Sequence, residues 1–251
     1  MMVRDPIKSK EYFNDNIAFR LECLSEDKAD LANPEILKPT VRVNISVGVI
    51  GDTLILLELR YSRGDAIADM KEDVQQLLTY RRLQAAHADA LPEEDQSDRI
   101  MWERLTQDRY ELFLQWLAFA VGVGMDAAYI KETIGFMDNQ GLDALFDRIC
   151  IQLGDTNRPV ADKLLYKKHY APLLKVLDAE PSDRPALMKN FLDGWYKNRK
   201  DRPGYDAHTR DNDGYYGYWC YEAALVTRLF DIDDSCYRDH RYYPAALVHG
   251  D

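Results

Sequence analysis

Glu222 is the residue whose surroundings first suggest chemistry. From Tyr215 to Phe230 the apolar residues recur at helical spacing, and Glu222 has Tyr218, Trp219, Leu225 and Val226 three and four positions away. A carboxylate in such company must be hydrogen-bonded or have its pKa raised, because burial disfavours the charged form. Paired with His208 or His240 it would be a general acid or base, and the chain a hydrolase. Otherwise it ties a polar network to tyrosine hydroxyls, to His208 or to an arginine of a neighbouring helix, the commoner use of a buried polar group. The expectation is the network, with no catalytic residue; a hydrolase using Glu222 with His208 or His240 is the alternative.

Other reactive groupings are weaker. Cys220 or Cys236 with His240 would make a thiol–imidazole pair, but nothing in the spacing orients the base. Asp206 with His208, or Asp239 with His240, lacks the i,i+4 histidine spacing of a helical zinc site. "DIDDS" at 231–235 lacks the spaced oxygen ligands of a calcium loop, and Asp233 or Asp234 suits the start of a short turn better. No glycine-rich phosphate loop precedes a Gly-Lys-Ser/Thr. Neither a cofactor nor a metal is expected.

The elements that must position these residues read as helices. Phe13, Ile17, Leu21 and Leu24 mark one over 9–31. The segment 41–61 is ambiguous. Val41, Val43, Ile45, Val47 and Val49 alternate with polar residues or glycine as in a strand, which would make a minor hairpin there. An isolated hairpin is poorly stable, so a buried helix is expected instead. Further helices are expected near 65–90, 98–121, 126–137, 141–153, 160–178 and 184–198. The fold class is therefore all-α, a two-module bundle. "GVGMD" at 122–126 sets the boundary, giving modules 1–123 and 124–251.

Charge bounds the partners. Lys and Arg total 32 against 43 Asp and Glu, a net −11, which works against nucleic acid and anionic membranes and favours a basic partner. Asp5, Glu11 and Asp15 interrupt any secretory signal, and no run of uncharged apolar residues approaches a membrane span; a cytoplasmic protein with reduced cysteines is expected. Residues 205–251 hold nine acids against four arginines, and 205–243 holds eight of the sixteen tyrosines. Rings that anchor and acids that steer suit recognition of a cationic protein. The candidate contacts are Asp206, Asp211, Asp213, Tyr215, Tyr216, Asp233, Asp234 and Asp239, with Glu93, Glu94 and Asp95 of the loop "PEEDQSD". On the other reading the tyrosines are core and the acids solvate its edge. Oligomeric state is left open.

The stretch "GYYGYWCYEAALVTRLFDIDDSCYRDHRYYPAAL" resembles the C-terminal signature of the PoNi family of bacterial immunity proteins. Three elements keep their order: Gly217, Tyr218, Trp219, Glu222, Ala223 and Ala224; then Ile232 to Ser235; then Asp239, His240, Tyr242, Tyr243 and Pro244. "LRYSRG" at 59–64 resembles an element of the companion N-terminal module. The resemblance implies an all-helical two-module fold and a structural role for Tyr218, Trp219, Glu222, His240 and Tyr243. It also implies neutralisation of a cognate DNase toxin delivered by a secretion system such as type VI, with no enzymatic activity.

Overall fold

The computed structural model describes residues 3–33, 38–137, 139–210 and 214–250. Among them there is no strand, and the chain is all-α. By compactness it divides into two units, Met1–Leu112 and Phe113–Asp251, a boundary that falls inside the helix Gln107–Gly122; the sequence reading set it at 123/124.

In the first unit α2 (Pro39–Arg63) packs against both α1 (Lys10–Ala32) and α3 (Lys71–Asp89). The segment 41–61 is thus helical. Its alternating residues share no face: Val43 and Val49 are buried, Val41 is exposed, and Ile45 and Val47 are half-buried. The buried stripe runs through Val43, Ser46, Val49, Thr53, Leu56 and Leu57, at helical spacing. Ser46 Oγ and Thr53 Oγ1 donate to the carbonyls of Arg42 and Val49 at 2.8 and 2.7 Å, so two polar residues enter the interior satisfied.

Pro39 stands in the first turn of α2, and Gly64 ends it at φ +98° with its N–H on the Tyr61 carbonyl at 3.0 Å. By length and composition α2 could cross a membrane, although Arg42 and Asp52 interrupt its apolar run. Here its apolar stripe is interior to the unit. The Tyr61–Gly64 element has a clear structural use. Tyr61 and Ser62 are buried, and the Ser62 carbonyl accepts from the N–H groups of Arg4 and Asp5 at 3.0 and 3.1 Å, fastening the N-terminal strand of chain to α2.

The single helix expected over 98–121 is two. A 3-10 turn (Glu93–Arg99) leads into the one-turn α4 (Ile100–Glu103), Arg104 is extended, and α5 (Gln107–Gly122) starts afresh. Thr106 restarts it, accepting from Arg109 N on Oγ1 at 3.4 Å and from Tyr110 N on its carbonyl at 2.9 Å. Ile100, which a single helix over 98–121 would place on an apolar face with Leu105, Leu112 and Trp116, is exposed, and Trp102 is the buried residue of α4.

The second unit contains α6 (Ala127–Gly135), α7 (Ala144–Gln152), α8 (Lys167–Asp178), α9 (Arg184–Asn198), α10 (Tyr221–Leu229) and α11 (Ala246–His249). Asp126 and Asp143 cap α6 and α7, accepting from Tyr129 N and Phe146 N at 2.8 and 2.9 Å. The helix expected at 160–178 begins only at Lys167. The helix expected from Tyr215 to Phe230 begins at Tyr221: Gly217 adopts φ +133°, and the Cys220 N–H turns to the Tyr242 carbonyl at 2.8 Å. Every residue of α10 from Tyr221 to Thr227 is buried. α5 ends against α11 so closely that a Cβ on Gly122 would lie 2.8 Å from Leu247 Cδ2, which is why a glycine stands there.

Candidate protein-binding face

Glu222 lies in the first turn of α10, 7% exposed, and accepts from Trp195 Nε1 of α9 at 2.7 Å. His208 does not join it; its Nδ1 is 2.8 Å from the Tyr218 hydroxyl. Nor does His240, whose Nε2 lies 3.4 Å from Asp193 Oδ1 and whose Nδ1 accepts from Tyr242 N at 3.3 Å. The three residues of the hydrolase alternative therefore serve three different partners, and that alternative is withdrawn. The small pocket beside Glu222, lined by His169, Tyr170, Trp195 and Arg199 among others, has room for about one water.

Two of the thiols, Cys220 and Cys150, are buried and poorly disposed to act as nucleophiles. Burial, and next the nearby Glu222 carboxylate, push the Cys220 thiol well up, and burial pushes Cys150 up to about 12. Burial also lowers the His240 pKa, with the Asp193 carboxylate opposing it.

What the motif builds is an aromatic and polar scaffold. Tyr196 of α9 stacks on Tyr242 at 5.2 Å and meets Tyr205 and Tyr218 at 4.8 Å each; Tyr215 meets Tyr218 edge-on at 4.8 Å and Trp195 meets Tyr242 at 5.4 Å. The Tyr196 hydroxyl donates to Asp206 Oδ1 at 2.5 Å, and Asp206 itself sits in the left-handed region at φ +54°. Burial and that hydrogen bond push the Tyr196 phenol far up, so it remains a donor at neutral pH.

Asp234 is the second knot. It is 2% exposed and accepts from Tyr243 Oη at 3.1 Å, from Arg238 Nε and Nη2 at 2.9 and 2.6 Å, and from His249 Nε2 at 2.6 Å. Burial alone would raise its pKa, but the bonds from Arg238, His249 and Tyr243 outweigh burial and hold the carboxyl below its ordinary value. Asp234 thereby ties the Ile232–Ser235 turn to the Asp239–Pro244 element and to α11. Its neighbour Asp233 forms the turn, accepting from Ser235 N at 3.0 Å and Ser235 Oγ at 3.1 Å.

The proposed contact residues thus separate. Tyr215 and Asp234 are interior, along with Tyr218, Trp219 and Tyr243. Asp206 is half-buried on Tyr196, and Tyr216 is half-buried. Asp233 and Asp239 are exposed, as are Glu93 and Glu94, while Asp95 is half-buried. Asp211 and Asp213 lie outside the described residues. With Glu222 and Asp234 interior, the accessible described acids of this stretch (Asp206, Asp231, Asp233 and Asp239) equal its four arginines in number. The rings, too, are chiefly interior.

Sequence reasoning missed a third knot. Arg158 and Asp147 meet at 2.6 Å with side chains 1% and 0% exposed. Asp147 also accepts from Gly141 N and Ala161 N at 3.2 and 3.0 Å, and Arg158 donates to Asn139 Oδ1. Both flanking loops are pinned to the N-terminus of α7. Only the capping pattern at Asp143 hinted at this region; partners eleven and more residues apart left no periodic signal.

Comparison with known proteins gives this geometry a family. The model described as "PoNe immunity proteins (PoNi), C-terminal" matches residues 141–247, and "PoNe immunity protein (PoNi), N-terminal" matches 4–135. No curated protein sequence matches the chain. A solved structure, that of protein PA2201 from Pseudomonas aeruginosa, is similar in fold, with a TM-score of 0.74 over 98% of this chain and 89% of that one, at 18% identity. Both halves being matched, the chain belongs to the PoNi family of immunity proteins, whose role is to neutralise a cognate toxin and not to turn over a substrate.

Proposed function

We propose that the toxin is a DNase of the polymorphic type, delivered by a secretion system such as type VI, and that this protein caps it in the cytoplasm through an acidic surface. The observation that carries the reading is the net charge of −11 on a chain of this family. A nuclease that grips DNA presents cations to phosphates, and an acidic inhibitor is complementary to that same surface. Opposite charge steers the encounter and speeds association, while like charge keeps the inhibitor itself off DNA. The site of action follows from the target, since a chromosome-cutting toxin must be met where the chromosome lies.

Co-expression tests this. Cells producing the cognate toxin, whose gene is expected beside this one, are expected to survive and keep intact chromosomes when this chain is co-produced, and to lose both without it. Equal killing with and without the chain would refute the reading.

A further inference from the structure

If the rings of the C-terminal motif hold the fold, the apolar anchors of the toxin-binding face must come from elsewhere. The most exposed large apolar side chains among those described are Ile100 and Met101, 62% and 58% exposed and adjacent on α4. We infer that the segment 93–104 is the surface that receives the toxin, with Ile100 and Met101 entering an apolar recess bordered by cations on the partner. This rests on the toxin-capping reading above.

Three features support it. The segment is pre-organised. Trp102 is buried with Val43, Ala88 and Leu91 and donates Nε1 to Asn44 Oδ1 at 2.5 Å. Gln96 Nε2 donates to the carbonyls of Leu91 and Ala88 at 2.8 and 3.3 Å, and Arg109 donates to those of Arg104, at 2.8 Å, and Met101. Anchoring at residue 102 turns the two preceding side chains outward, and a rigid anchor loses little entropy on binding.

The segment is also acidic in a usable way. Arg99 is paired with Asp89 and Glu103 at 2.9 and 2.8 Å, and among the described residues no cation pairs with Glu93, Glu94, Asp95 or Asp98. Apolar anchors in the same segment as unneutralised carboxylates match a cationic protein face. Finally, the anchors have no internal use: Ile100 fits a core pattern in sequence, yet the break at Arg104 leaves it outside.

The test uses the full chain and the purified cognate toxin. Ile100→Ser/Met101→Ser is expected to weaken binding by ~30-fold or more, the scale of a central anchor, with its thermal melt unchanged. Phe19→Ser/Leu21→Ser, which removes a comparably exposed apolar pair from α1, should weaken it by less than ~3-fold. Glu93→Lys/Glu94→Lys should slow association. Unchanged affinity in the 100/101 variant, or loss confined to the α1 variant, would overturn the inference while leaving toxin capping intact. So would conversion of a wild-type dimer to monomer by the 100/101 changes with toxin affinity unaltered, since the face would then be a self-interface. A wild-type chain that binds no toxin would remove the reading and the inference together.

Discussion

Arg158→Met is expected to destabilise the protein by about 3–5 kcal/mol, the usual cost of stripping one member from a buried ion pair. The magnitude follows from what remains. Asp147 would keep Gly141 N and Ala161 N but lose its cation, in a site from which its side chain sees no solvent. Asn139 would lose its donor as well. Against a typical total stability of about 5–15 kcal/mol this is a large fraction. Denaturant unfolding measures it, and the double variant Arg158→Met/Asp147→Asn should recover a substantial part, because no unpaired charge then stays buried. A loss under about 1 kcal/mol would mean the pair does not hold these loops.

Asp234→Ala should cost about 2–3 kcal/mol at neutral pH, because it leaves the buried Tyr243 hydroxyl without its acceptor and releases Arg238 and His249. The pH dependence has a definite sign. The folded-state pKa of Asp234 is depressed, so its contribution is present above the unfolded value, near 4, and is lost as pH falls through the lower folded value. The gap in stability between wild type and variant should therefore close progressively as pH falls below about 4. A gap that stays constant into that acid range would show that the charged carboxylate is not what ties the two motif elements together.

These expectations share a physical origin with what could and could not be read from the sequence. Capping and stop residues mark element ends where the chemistry is local: Pro39 and Gly64 bound α2, and Asp126 and Asp143 start α6 and α7. The alternating valines of 41–49 left the segment ambiguous because a period of two also occurs by chance within a long apolar helix; the expected buried helix is what forms, and burial at Val43, Ser46 and Val49 shows its period. The break before α5 was signalled by Thr106 ahead of an acidic first turn, but the apolar spacing across 98–121 masked it.

The start of α10 was misplaced because Gly217 and the pairing of Cys220 with Tyr242 interrupt a pattern that hydrophobicity alone continues. For the candidate contact residues, residue type alone did not fix exposure. Asp234 and Tyr215 look like surface groups until Tyr243, His249 and Tyr218 arrive from elsewhere in the chain. The family motif thus supplies a set of fold-holding contacts.

The central claim is that this acidic helical protein stops a DNA-cutting toxin by stoichiometric binding. The most direct measurement is cleavage of plasmid DNA by the purified cognate toxin, titrated with this chain. The account predicts that cleavage falls linearly and ceases near one equivalent. Cleavage at full rate in the presence of a several-fold excess of the folded chain would contradict it.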